Sequence, residues 1–128
     1  MDAPEKEEVR VVIAARTAMR STLRDAATRA GLEIAAECAD AAQLLDAVAR
    51  EHPRFCILDR ELRGGGLVAA AAIAAPHLAP KVLVVGGRGA AAEVRAARLA
   101  GATGCVPGDI DAVALAAAIS ALLKEEEP

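Results

Sequence analysis

Five short apolar runs punctuate the chain, at residues 9–14, 32–38, 54–58, 81–85 and 104–106. Each has the length of a β-strand and is bounded by charged or turn-forming residues. The runs VVI, CIL and VLVV are continuous rather than alternating, which suits strands covered on both faces and hence a parallel sheet. Between the runs lie alanine-rich segments of helical length, at 18–30, 41–51, 67–75, 90–100 and 111–123. In the last of these Val113, Leu115, Ala116, Ile119, Leu122 and Leu123 recur mostly at three- and four-residue steps, which predicts one apolar stripe. The punctuation agrees: Gly31 and Gly101 follow the first and fourth helices, Pro53 follows the second, Pro76 stops the third, and Asp109 or Asp111 can cap the fifth.

A strand–helix unit repeated five times, with right-handed crossovers, predicts a three-layer α/β sandwich with helices on both faces of a parallel sheet. This is the flavodoxin-like architecture, with the expected strand order 2-1-3-4-5. Its ligand site is expected outside the carboxyl ends of strands one and three, where the winding reverses. One domain is expected over residues 9–123. The polar stretch 1–8 is expected to be flexible, and 124–128 (KEEEP) to form a charged tail.

Composition narrows the function. Phe55 is the only aromatic residue, so bases have no stacking platform, and a net charge of −3 gives no basic field for a phosphate backbone; direct nucleic-acid binding is not expected. No apolar run is long enough to span a bilayer and the acidic start MDAPEKEE is unlike a signal peptide, so a cytoplasmic protein without membrane contact is expected. Cys38, Cys56 and Cys105 are far apart in the sequence and have no histidine beside them, which reads as small buried hydrophobes rather than metal ligands. His52 and His77 stand beside prolines without a Ser or Cys partner. No nucleophile–base pair can be assembled, so the chain is not expected to be an enzyme.

The third strand ends in Asp59, in CILDREL, followed by Gly64, Gly65 and Gly66. A carboxylate at that strand end could be a phosphate acceptor, a metal ligand or a helix cap. Together with VRVVIA, GLEIAAECADAAQLLDAV, HPRFCILD and AARLAGATGCV, it carries a resemblance: over essentially residues 9–123 the chain resembles the CheY-like receiver domain of two-component response regulators, above all those joined to NarL- or LuxR-type DNA-binding domains. The resemblance implies an acceptor aspartate at Asp59, an acidic pair for Mg²⁺ after strand one, a hydroxyl after strand four, a lysine after strand five and a mobile aromatic residue on strand five. This chain departs at each position but the first. Ala15 and Arg16, or Ala14 and Ala15 on a one-residue shift, stand for the acidic pair; Gly86 for the hydroxyl, Gly108 for the lysine and Cys105 for the aromatic residue. The loop from Arg60 to Gly66 is also a residue shorter than usual. The pattern is that of a pseudo-receiver, with Mg²⁺ binding weak or absent, no other cofactor, and Asp59 a vestigial or weakly competent acceptor.

Arg16, at the end of strand one, is within reach of Asp59 and could pair with it through both guanidinium edges; the alternative is a solvent-facing residue that starts a helix. The stretch GGRG, with Gly86, Gly87 and Arg88, could cradle a small anion or form a plain turn. Arg16, Arg20, Arg24 and Arg29 along the first helix read as a solvated face, with an acidic partner the alternative. Alanines 91, 92, 96, 97, 100, 114, 117, 118 and 121 give the fourth and fifth helices shallow faces, which suits a homodimer. The expected function is an atypical receiver that acts in signal transduction and transcriptional regulation through protein contacts, independently of phosphorylation. Its expected partners are a second copy and a C-terminal DNA-binding effector or a separate protein. An orthodox acceptor served by a histidine kinase, and a small-ligand sensor, are the alternatives.

Overall fold

The structure, a computed structural model, describes residues 9–74 and 80–125. Ten elements follow one another: β1 (Arg10–Ala14), α1 (Thr17–Arg29), β2 (Glu33–Cys38), α2 (Ala41–Glu51), β3 (Phe55–Asp59), α3 (Gly66–Ala74), β4 (Lys81–Val85), α4 (Ala91–Leu99), β5 (Gly104–Val106) and α5 (Ala112–Lys124). All strands pair in parallel, in the order β2-β1-β3-β4-β5. This is the flavodoxin-like arrangement that the strand–helix rhythm predicts. Element ends differ from the sequence reading by about one residue, the usual uncertainty of helix and strand termini.

Alternation along the central strands divides the core into two layers. Val11, Ile13, Phe55, Ile57, Leu83 and Val85 face α1 and α5, where Leu23, Ala26, Ala27, Leu115, Ala116 and Ile119 meet them. Val12, Ala14, Cys56, Leu58, Val82 and Val84 face α2, α3 and α4, against Leu44, Ala47, Ala69, Ala70, Ile73 and Ala97. Small helical residues at these contacts let the helices lie close to the sheet. Because Phe55 and Ile57 face α1, the same parity directs Asp59, two residues on, toward the β1–α1 junction.

The central strands are covered on both faces as expected, while the edge strands β2 and β5 are only partly covered, because an edge has a neighbour on one side alone. Other expectations change. β2 also carries a register shift against β1 between Val11 and Val12, which leaves Ala35 without a partner in the ladder. Val113 is not part of the apolar stripe of α5 but 63% exposed, since Leu115, Ala116 and Ile119 already fill the face turned to the sheet. Ala97 belongs to the core rather than to an exposed face. Helix α5 runs through Lys124 with Glu125 as its C-cap, so the start of the expected tail is helical. The expectations for residues 1–8, Pro76, His77 and 126–128 lie outside the described residues. Asp111, not Asp109, caps α5 by accepting the Ala114 amide at 2.8 Å.

Candidate functional site

Asp59 closes β3 at the carboxyl edge of the sheet and is fully buried, the only buried charged residue among those described. Helix α1 begins at an Ala-Arg sequence that carries no capping oxygen, and none of its own side chains caps it. The Asp59 carboxylate lies there instead. Its Oδ2 accepts the Arg16 amide at 3.0 Å and Arg16 Nε at 2.7 Å. Its Oδ1 accepts Arg16 Nη2 at 3.2 Å and the Glu61 amide at 2.8 Å. A carboxylate offers about four lone-pair sites, so these four donors saturate it. Burial alone would push the Asp59 carboxyl up, but the Arg16 side chain and the Arg16 and Glu61 amides outweigh it and hold the group below the ordinary carboxylate range. The two readings of Arg16 therefore meet in one residue: it is the N-cap of α1, and its half-exposed side chain makes a two-point ion pair with Asp59.

The other sequence-predicted positions surround this pair. Ala15 is buried behind it, its amide tied to the Cys38 carbonyl. Gly86 and Gly108 face each other across the mouth of the sheet: the Gly86 amide donates to the Val106 carbonyl at 2.9 Å and the Gly108 amide to the Gly87 carbonyl at 3.0 Å. Cys105 is half-buried on β5; burial pushes its thiol up, with the Arg60 charge pulling the other way. Cys38 and Cys56 are buried as expected, and burial pushes the Cys56 thiol up to about 12. His52 is exposed and ends α2.

The glycine run after Asp59 is a built turn rather than a slack loop. Leu62 N reaches the Asp59 carbonyl at 3.0 Å and Gly65 N the Leu62 carbonyl at 2.8 Å. Gly66 has no room for a side chain, since a Cβ would meet the Asp59 and Arg60 carbonyl oxygens at 2.5 and 2.7 Å.

The GGRG turn does form an amide cradle, and the chain fills it. Glu93, from the first turn of α4, accepts the Arg88 amide at 2.8 Å and the Ala90 amide at 3.0 Å through one oxygen. These amides, Arg88 foremost, hold its carboxyl below the ordinary range. Sequence reading missed Glu93; the signal was its place three residues after the N-cap, where an acidic side chain reaches back to free amides. It also missed Arg60, whose side chain packs on Gly86. The arginines of α1 are engaged within the molecule: Arg24 with Glu37, Arg29 with Asp25, and Arg20 with the Ala15 carbonyl.

The residues present do not fit a divalent cation. Where the resemblance asks for two carboxylates beside Asp59 there is one methyl group and one guanidinium, and the guanidinium already neutralises Asp59. Among the described residues no group of three His, Cys, Asp or Glu side chains could hold a metal. No helix among them is long and apolar enough to cross a membrane.

A family model described as the response regulator receiver domain matches residues 11–120. No curated protein matches the chain. Among solved structures, the signal receiver domain of the response regulator NarL from Mycobacterium tuberculosis is 24% identical, with a TM-score of 0.82, over 93% of this chain and 98% of that one. A LuxR-family two-component response regulator from Aurantimonas sp. SI85-9A1 is 26% identical, with a TM-score of 0.78, over 93% and 87%. NtrX from Brucella abortus is 21% identical, with a TM-score of 0.82, over 93% of this chain but 27% of its own.

Proposed function

The chain belongs to the response regulator receiver family, a family of signalling domains, and from that premise we propose that it is a regulatory module whose acceptor pocket is held in one state without phosphorylation. The observation that carries this reading is the saturated ion pair of Arg16 with Asp59. For Asp59 to attack phosphorus, one of four donors must first leave. Ala15, Gly86 and Gly108 stand where the resemblance asks for a metal-holding carboxylate, a phosphoryl-binding hydroxyl and a charge-neutralising lysine. A carboxylate with a depressed pKa is in addition a weaker nucleophile. Asp59 is then a structural anion that anchors the start of α1, with no catalysis of its own.

The output is contact with other proteins in the cytoplasm. The exposed Leu99 and Val113, beside the exposed alanines 91, 92, 114, 117 and 121, give α4 and α5 a surface suited to a second copy of the chain. The similarity to a LuxR-family regulator supports a link to a DNA-binding effector and to transcriptional control. The small-ligand reading is disfavoured at the GGRG turn, where Glu93 already takes the amides.

The test is intact mass after incubation with a small phosphodonor and Mg²⁺, beside Asp59→Asn. No adduct on the wild type is the expected result. An adduct of one phosphoryl group on the wild type alone would overturn the reading and restore an orthodox acceptor served by a histidine kinase.

A further inference from the structure

Asp59 and Arg60 are consecutive, yet they tie opposite sides of the pocket. Asp59 is gripped from β1 and α1 by Arg16. Arg60 is turned the other way, its amide donating to the Val85 carbonyl of β4 at 2.8 Å. Its side chain starts in the space that a side chain at position 86 would need, since a Cβ on Gly86 would collide with Arg60 Cβ. Gly108 closes over the same place, where a Cβ would touch Gly86 Cα at 3.3 Å. The guanidinium lies near enough for its charge to act on both the Glu93 carboxylate and the Cys105 thiol.

The seat is imperfect in one respect. Arg60 Nη1 is buried and meets no hydrogen-bond acceptor. A guanidinium donor buried without an acceptor raises the free energy of the seated arrangement, while a long flexible side chain at the molecular edge can return its head to water. The glycine at 86 is thus more than lost chemistry: it admits the Cβ of residue 60, and the arginine there is retained by packing but not satisfied by hydrogen bonding. We propose that Arg60 is a latch, seated against Gly86 on the face of the sheet that also carries Cys105, that fixes the β4–α4 turn against β5 and whose release opens the sheet edge at Cys105. This goes beyond the role of Asp59 and stands whether or not that carboxylate takes phosphate.

Cys105 reports on the latch, because Cys38 and Cys56 are only 3% and 0% exposed. The experiment is the rate of labelling of the folded protein by a small thiol reagent, with the labelled residue identified by peptide mass. Arg60→Ala is expected to raise the rate at Cys105 about tenfold or more, as opening becomes more frequent. Arg60→Ser, which also removes the long side chain, should do the same and decides the matter where Arg60→Ala does not fold. A rate within about twofold of wild type in a folded variant overturns the latch. Because the readout is a thiol and not a phosphate adduct, its failure is distinct from failure of the reading of Asp59.

Discussion

The Arg16 guanidinium holds Asp59 at two points, Nε at 2.7 Å from one oxygen and Nη2 at 3.2 Å from the other, while the Arg16 and Glu61 amides take the remaining lone pairs. A neutral amide pocket would leave a buried charge; an arginine alone would leave lone pairs unmet. The combination keeps a fully buried carboxylate ionised.

This fixes a pH dependence. The folded-state pKa of Asp59 lies below its ordinary value, so between the two values the unfolded chain binds more protons and stability rises with pH. The contribution is present above about pH 4, the ordinary aspartate pKa, and is lost as pH falls through the depressed one. Urea midpoints from pH 5 to 2 are expected to fall more steeply for wild type than for Asp59→Asn. Equal slopes would show that the pair does not bias the ionisation. Arg16→Ala is expected to cost about 1–3 kcal/mol, toward the lower end because the arginine is half-exposed and water can replace it.

Metal binding follows from the same residues. The double change Ala15→Asp with Arg16→Asp would set three carboxylates together, mutually repulsive without a cation and suited to a hard one. The double variant should melt below wild type in a chelator and recover in Mg²⁺, by about 1.4 kcal/mol at ten times its Kd. Wild type should not respond. Thermal melts of both proteins with and without Mg²⁺ check this, and a double variant blind to Mg²⁺ would mean that more than the acidic pair excludes the metal.

The fold was legible because its signals repeat: short apolar runs alternate five times with alanine-rich segments of helical length, and together they agree with one topology. The Arg16–Asp59 contact was legible for a related reason, since adjacent parallel strands bring the ends of β1 and β3 together. What could not be read were contacts that depend on the exact course of turns. Glu93 fills the GGRG cradle only because Gly87 and Gly89 adopt positive φ. Arg60 settles on Gly86 only because position 86 lacks a side chain, a consequence of pairing across β3 and β4 rather than of local sequence.

Another turn carries a residue whose backbone its side chain does not favour. His52 ends α2 in the left-handed region, at φ 49° and ψ 55°, the only described non-glycine residue with positive φ. Glycine occupies that region without the penalty from Cβ. The His52 side chain is exposed, and its amide bond to the Val48 carbonyl does not depend on residue type. His52→Gly is therefore expected to stabilise the protein by about 0.5–1 kcal/mol, the relieved strain exceeding the added freedom of the unfolded chain. A denaturant midpoint below wild type would contradict this.

Helix α5 is secured at both ends by bonds from single side chains. At its start Asp111 accepts the Ala114 amide at 2.8 Å. In its last turn Lys81, from the first position of β4, donates through Nζ to the Leu122 carbonyl at 2.8 Å, where a cation also suits the helix dipole. Removing the cap with Asp111→Ala should cost about 1 kcal/mol. Lys81→Met, which keeps the apolar stem, should cost about 0.5–1.5 kcal/mol by loss of one hydrogen bond. The two sites are separated by most of a 13-residue helix, roughly 15–20 Å at 1.5 Å per residue, and share no partner. Their effects should then add within about 0.5 kcal/mol in the double variant. A double variant that loses markedly more than the sum would show α5 coming off the sheet as a unit once both ends are free; because α5 packs on α1, the helix that Arg16 begins, such a loss would also link the α5 surface to the Asp59 pair.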